Sequence, residues 1–290
     1  MRTRFENAVI VGGGGMLARA FRERIDRGES VLPPGTRLLS RAECDIADAA
    51  SVERAIPRGV DLVINCAAYT NVDGAETDEA SATRINGEGV RVLAERCGAI
   101  GATLAHFSTD YVFDGQATAP YPTNYPRAPL GAYGRSKLAG ELALEASGCD
   151  WLCLRTSWLY APWGKNFVLT IAKFAKEKDS LRVVHDQRGR PTCCDTLASL
   201  TEAMLAGGAR GMHHGCDGGE CTWFEFAREI AGRLNPACRV EPCTTAEFPR
   251  PAPRPAYSVM DLSKTERVVG PIPDWRVALA RTLDRVERGG

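Results

Sequence analysis

Along the first half of the chain, short apolar runs alternate with longer amphipathic stretches. Residues 8–11 (AVIV) are continuously apolar and end in four glycines; residues 60–65 (VDLVIN), 102–107 (ATLAHF) and 151–154 (WLCL) are further apolar runs. Residues 36–39 form a weaker run that leads into a polar turn. Near-continuous apolarity predicts strands buried on both faces, because a strand covered on one side only is apolar at every second position. Between these runs, residues 16–25, 88–97 and 133–145 have helical character. Strand alternating with helix predicts βαβ units, and so an α/β protein with a Rossmann-like, doubly wound parallel sheet. Residues 119–130 contain four prolines and predict a loop.

The second half is less regular. Residues 167–177, 194–205 and 277–286 read as helices, and a strand is expected through His213 and His214. Residues 223–234 predict an amphipathic helix with Phe224, Phe226, Ala227, Ile230 and Leu234 toward the core. Residues 249–255 are a Pro/Arg-rich loop. The expected organisation is a sheet domain over residues 1–160 and, mainly over 161–290, a smaller α/β cap that binds substrate. Some later segments are expected to return to the sheet.

Composition narrows the partners. The 290 residues hold 36 Lys+Arg against 36 Asp+Glu, with 44% hydrophobic residues, as in an ordinary folded protein. There is no basic excess, so no nucleic-acid partner is expected. No apolar run approaches 18 residues and the first one is too short for a signal-peptide core, so neither a membrane span nor export is expected, and the compartment is expected to be cytoplasmic. Eleven cysteines occur without a CxxC pair, several inside apolar runs, and are expected as reduced, buried thiols. His213, His214, Cys216 and Cys221 lack the spacing of a zinc site, so no metal is expected.

The run AVIV leads into Gly12-Gly-Gly-Gly15-Met16-Leu17-Ala18. Gly12, Gly15 and Ala18 follow G-x-x-G-x-x-(G/A). Such a turn supplies positive φ and close backbone approach, and the following helix offers free N–H groups to a dinucleotide pyrophosphate. The second run ends Leu38-Leu39-Ser40-Arg41 with no acid at that point to hold a ribose 2′-hydroxyl. Arg41 there suits a 2′-phosphate, which predicts NADPH with NADH tolerated; the alternative is a solvated surface arginine. Asp45 and Ile46 follow, placed to meet the adenine.

A third signal is Tyr133-Gly-Arg-Ser-Lys137. At i and i+4, Tyr133 and Lys137 share a helical face, and an ammonium beside a phenol is expected to lower its pKa from about 10. Upstream, an apolar run ends in Ser108-Thr109-Asp110-Tyr111, which puts a hydroxyl where open α/β sheets bind ligands.

The glycine loop, STDYVFDG (108–115) and YGRSK (133–137) resemble the extended short-chain dehydrogenases/reductases, and within them the dTDP-4-dehydrorhamnose reductases. The resemblance continues through NCAAYTNVDGAE (65–76), RTSWLYAPWGKNFV (155–168), DQRGRPT (186–192) and RPAYSVMDLSK (254–264), nearly the whole chain. It implies an oxidoreductase of dTDP-rhamnose biosynthesis that uses NADPH to reduce the 4-keto group of dTDP-4-dehydro-6-deoxy-L-mannose. Tyr133 would protonate the developing alkoxide and Thr109 would hydrogen-bond the same oxygen. Lys137 would hold the nicotinamide ribose and tune Tyr133, and Asn86 would support Lys137 through water. Ala67, Ala68, Tyr69 and Thr70 would flank the cofactor, and Asp110 and Trp158 would lie near the sugar. The alternatives are a strand-end turn residue for Asp110 and core packing for Trp158. Lys165 and Arg254 are candidates for the substrate diphosphate, or ordinary surface charges.

The related 4,6-dehydratases carry Asp-Glu after the active-site Thr; here Asp110 is followed by Tyr111, which favours simple reduction. Met16 and Ala18 depart from the family pattern without blocking nucleotide binding. Thr123, Asn124 and Gly131 depart from it near the site mouth and leave open another deoxysugar nucleotide as substrate. Some family members form a metal-bridged dimer through a Glu; the matching residue is Ala20, which cannot ligate magnesium, so a monomer or a homodimer without metal is expected. A non-catalytic regulatory subunit of the same fold is the remaining alternative; the intact Tyr133 and Lys137 speak against it.

Overall fold

In the computed structural model, which describes residues 5–288, six strands form one parallel sheet. They are β1 (Ala8–Val11), β2 (Arg37–Leu39), β3 (Leu62–Asn65), β4 (Thr103–Thr109), β5 (Asp150–Thr156) and β6 (Gly211–His214), in the order β6-β5-β4-β3-β1-β2. The continuous apolar runs become strands with alternate residues on opposite faces. Ala8 and Ile10 of β1 and Leu62 and Ile64 of β3 pack with Leu17 and Phe21 of α1 (Met16–Asp26). Val9, Val11 and Val63 pack on the other face with Val52 of α2 (Ala49–Ala55), Leu93 of α3 (Gly89–Ile100) and Leu144 of α4 (Ala132–Ala146). From β1 the chain goes to β2 on one side and then crosses to β3 on the other. The C-terminal ends of β1 and β3 therefore flank the crevice where open α/β sheets bind ligands.

A further layer joins α5 (Phe167–Glu177), α7 (Trp223–Leu234) and α8 (Trp275–Arg288) around Tyr160, Ile171, Phe226, Ile230 and Trp275, with the paired strands Ser180–Val184 and Arg239–Cys243. Helix α6 (Cys194–Ala206) returns to the sheet and packs Leu197 and Met204 against the face covered by α1. The strand expected at His213 and His214 is β6, paired with β5. Their side chains meet main-chain carbonyls of Arg210 and Asp261.

Two expectations change. The helix read over residues 88–97 is preceded by helix Glu79–Thr83 and a π-turn, Arg84–Glu88, which runs straight into α3. Such a turn carries an extra residue per hydrogen bond and re-aims its side chains, here Asn86. In α7, Phe226, Ala227 and Ile230 are buried and Leu234 is partly buried, but Phe224 lies half-exposed beneath the Arg228 guanidinium. Trp223 packs in its stead, against Trp158, Phe167 and Phe226. No helix among the described residues is long and apolar enough to cross a membrane.

Candidate active site

The glycine turn is shaped by one close approach. Gly12 has φ +79°, and a Cβ there would sit 2.4 Å from the Ala67 nitrogen. Only glycine combines that conformation with that contact. The Gly13 N–H donates to Leu39 O at 2.7 Å and the Gly15 N–H to Gly12 O at 2.9 Å, which ties the turn to the end of β2. Helix α1 then starts at Gly15 with no side-chain cap and no acid in its first turn. Its free N–H groups and positive dipole end suit an anion. A cleft of about 300 Å³ lies here, lined by Gly12, Gly14, Gly15, Arg41, Asp45, Ile46, Ala67 and Ala68. This cradle fits the cofactor read from the sequence.

Other residues read as cofactor-binding are placed differently. Leu17 is buried in the core, and the Met16 side chain lies against Gly164 and Asn166, so each has only its backbone to offer the cleft. Tyr69 is held on both main-chain groups by Asn86 and Thr70 is exposed. Arg41 is exposed, 4.0 Å from Asp45. An acid does stand at the end of β2, three residues on from Ser40. Glu43 folds back to accept from the Ser40 N–H at 2.8 Å and the Ser40 hydroxyl at 2.7 Å, bonds that hold its carboxyl below the usual range. The local Ser-x-x-Glu spacing was its only signal.

Beyond the C-terminal end of β4, Thr109, Asp110 and Tyr133 form one cluster. The Thr109 hydroxyl donates to Asp110 Oδ1 at 2.9 Å and also hydrogen-bonds the Tyr133 phenol. The Tyr111 ring stands edge-on to Tyr133 at 5.8 Å. Asp110 is 2% exposed, and burial pushes its carboxyl up to about 6 against the Ser258 and Thr109 hydroxyls, which favour its charge. Its buried Oδ2 makes no close hydrogen bond, which leaves it an acceptor with capacity to spare. The Tyr133 phenol is raised above its ordinary value, first by burial and then by the charge of Asp110.

This overturns the expected effect of Lys137. The i, i+4 spacing does put Tyr133 and Lys137 on one face of α4, but the Lys137 side chain runs to β4. Its Nζ donates to Phe107 O at 2.6 Å and lies 3.4 Å from His106 Nε2. Burial lowers Lys137 to about 8. Tyr133 is thus protonated at neutral pH, the state a proton donor needs.

Asn86 is 1% exposed in the π-turn. Its Oδ1 accepts from the Tyr69 N–H at 2.9 Å, and its Nδ2 donates to Tyr69 O at 3.0 Å and to Ser136 Oγ at 2.9 Å. Both amide hydrogens are therefore used, so a water shared with Lys137 would be held by an Asn86 oxygen. Asn86 also ties the loop after β3 to α4, where Ser136 in turn donates to Tyr133 O.

From the other layer comes Trp158, the single non-glycine residue with positive φ (+49°) among those described. Its ring stacks on Trp223 at 3.6 Å, and Gly189 leaves room for it: a Cβ there would lie 2.8 Å from Trp158 Cε2. Such a backbone is uncommon for a bulky residue and is held by its surroundings. Arg254 pairs with Asp73 at 2.9 Å and lies near Tyr111, whereas Lys165 is exposed on the turn before α5. Ala20 is fully buried in the core.

Several supporting residues went unread in the sequence. Glu76 accepts from the Ala132 N–H at 2.9 Å and caps α4. Behind the cluster, Arg155 of β5 donates to both oxygens of the fully buried Glu141, at 2.8 and 2.7 Å. The available signal was a charged residue inside an apolar run, Arg155 in WLCLRT.

Known proteins are similar to this chain along nearly its whole length. Residues 6–288 match the family described as RmlD substrate binding domain. A dTDP-4-dehydrorhamnose reductase of Mycobacterium tuberculosis is 41% identical over 297 residues, covering 98% of this chain and 94% of that protein. A Streptomyces antibioticus protein named "Probable dTDP-4,6-dihydroxy-2-methyloxan-3-one 4-ketoreductase" is 40% identical over 281 residues, covering 93% and 92%. The crystal structure of the Bacillus anthracis dTDP-4-dehydrorhamnose reductase in complex with NADP superposes with a TM-score of 0.89 at 33% identity, covering 98% and 99%. With its glycine cleft and its Thr109–Tyr133 cluster at the ends of one parallel sheet, the chain belongs to the RmlD family, that of the dTDP-4-dehydrorhamnose reductases.

Proposed function

We propose that this chain reduces the 4-keto group of a dTDP-4-keto-6-deoxy sugar with NADPH, and that the substrate is dTDP-4-dehydro-6-deoxy-L-mannose, giving dTDP-L-rhamnose. The observation that carries the reading is the Thr109–Tyr133 hydroxyl pair next to the buried Asp110 carboxyl, beyond the sheet edge that also bears the glycine cleft. The uncapped start of α1 would hold the cofactor pyrophosphate, and Arg41 would turn from Asp45 to a 2′-phosphate. When bound, NADPH supplies the hydride for the sugar C4.

This chain's own residues handle the proton and the orientation. Tyr133, kept protonated by burial, gives its proton to the C4 oxygen as negative charge develops there. Thr109 has one hydroxyl proton, which it donates to Asp110 Oδ1 in the free protein. Turned to the C4 oxygen, it adds a second donor and frees Asp110 Oδ1 to accept from a sugar hydroxyl. Lys137 would leave Phe107 O for the nicotinamide ribose. Trp158, held by Trp223, would form a wall of the sugar site. Tyr111 stands where the dehydratases carry their Glu, so the base that elimination needs is missing.

A different deoxysugar nucleotide is the second reading, favoured by the ketoreductase name of the Streptomyces antibioticus relative. The chain is proposed to act in the cytoplasm, as a monomer or homodimer. Its eleven thiols, without a disulfide, suit a reducing compartment. The test is NADPH oxidation by purified protein with a panel of dTDP-4-keto sugars. Turnover of the 4-dehydro-6-deoxy-L-mannose compound to the rhamnose product is expected, and no oxidation with any sugar would sink the reductase reading.

A further inference from the structure

A buried line of hydrogen bonds links the cofactor cleft to Lys137, and it runs through a residue with no role so far. Asn65 ends β3 and His106 lies beside it on β4, in register. Asn65 Oδ1 accepts from the Ala67 N–H at 3.0 Å. Only an oxygen can do so, which fixes the orientation of the amide and turns Nδ2, a donor, toward His106 Nδ1 at 3.1 Å. His106 Nδ1 is then the acceptor. The proton of the neutral imidazole sits on Nε2, which faces Lys137 Nζ at 3.4 Å. Asn65 and His106 are each 1% exposed, so no water competes.

We infer that His106 is a positioning residue for Lys137, its Nε2–H holding the Lys137 amine against β4 in a direction set by Asn65 and the Ala67 N–H. An ammonium in that place would set donor against donor. A neutral amine accepts from Nε2–H while donating to Phe107 O. The His106 imidazole itself stays neutral, pushed down by burial and by Lys137. The other titratable groups that act on Lys137 are Cys153 on β5 and Glu141 on its own helix, and both favour its charged form. They therefore do not account for a Lys137 that titrates low; burial does, and on this inference the Nε2–H acts in the same direction. Below about pH 8 Lys137 is charged and the Nε2–H opposes it in this place, which favours its leaving His106 for the cofactor ribose; the Ala67 loop that flanks the cofactor is tied to the same line.

The inference deepens the reductase reading and rests on it for the meaning of Lys137, but its readouts need no sugar. NADPH binding to the full chain would be followed by nicotinamide fluorescence from roughly pH 6 to 10. Wild type is expected to lose affinity as pH rises through about 8, where Lys137 loses its charge. His106→Phe, which keeps the ring volume and removes Nε2–H, should move that limb up by about one pH unit or more. His106→Gln, whose amide can accept from Asn65 and donate to Lys137, should bring it back toward wild type. An unshifted limb in folded His106→Phe, or His106→Gln tracking His106→Phe, would overturn the inference. The ¹⁵N spectrum of labelled histidine in the wild-type protein decides the matter if the variants fail to fold or NADPH fails to bind. The chain has only four histidines. An Nε2–H tautomer is expected at His106 and an Nδ1–H tautomer would contradict it. Absence of NADPH binding by wild type counts against the reductase reading instead.

Discussion

Asp110 shows what the site costs the fold. Its carboxyl titrates near 6 in the folded chain against 3.8 for an ordinary one, because burial opposes its charge. A raised folded value means stability that is fully present below about pH 4 and is lost as pH rises through about 6. Lys137 works in the opposite sense: its folded value is depressed to about 8, so the stability it adds at alkaline pH is lost as pH falls through 8. At neutral pH both groups therefore weaken the free protein. Asp110→Asn is expected to raise stability by on the order of 2–3 kcal/mol at pH 8 and by little at pH 4. Urea unfolding at the two pH values measures this, and equal effects would show that the charge is not the cause. The same variant should lower kcat/KM for the sugar by about tenfold or more, since it loses a charged acceptor.

Helix α4 and strand β5 hold the cluster through a buried ion pair. Glu141 is fully buried and Arg155 is 1% exposed; Glu141 has a second cation in Arg127 at 3.2 Å, but Glu141 is the acid that pairs Arg155, whose charge would stand unpaired without it. Glu141→Gln is expected to cost about 3–5 kcal/mol, and adding Arg155→Met should recover much of it. A small loss in the single variant, by chemical denaturation, would mean that water reaches the pair. At the other end of the site, Gly12→Ala would force a Cβ onto Ala67. Weakening of NADPH binding by about tenfold or more is expected by titration, with unchanged affinity as the contrary result. The contrast with sequence reading lies at this scale. The glycine turn, the strand ending in Thr109 and the Tyr133–Lys137 helix were legible because each rests on neighbours in the chain. Strands Ser180–Val184 and Arg239–Cys243 were not: five residues each, with exposed charges among them, they exist only through pairing with each other. The direction of Lys137, and hence the state of Tyr133, depended on β4, which spacing along one helix does not report.

Across the whole molecule, the turn after β1, the end of β4 and helix α4 supply the glycine cleft, Thr109, Asp110 and Tyr133, while Trp223 and Arg254 belong to the later part of the chain. In the proposed function, the chemistry falls to the first set and the choice of sugar to the second. Tyr133→Phe is expected to lower kcat by roughly 100-fold or more while leaving NADPH affinity within about twofold, as loss of a proton donor should. Retained kcat in a steady-state assay would remove Tyr133 from that role. The most direct test of the reaction itself follows an isotope. Wild-type protein would be given dTDP-4-dehydro-6-deoxy-L-mannose and NADPH carrying deuterium at the transferable position of the nicotinamide, and the product examined by NMR. One deuterium at C4 of the sugar is expected, in dTDP-L-rhamnose; a product without deuterium at C4, or no product, would contradict the assignment.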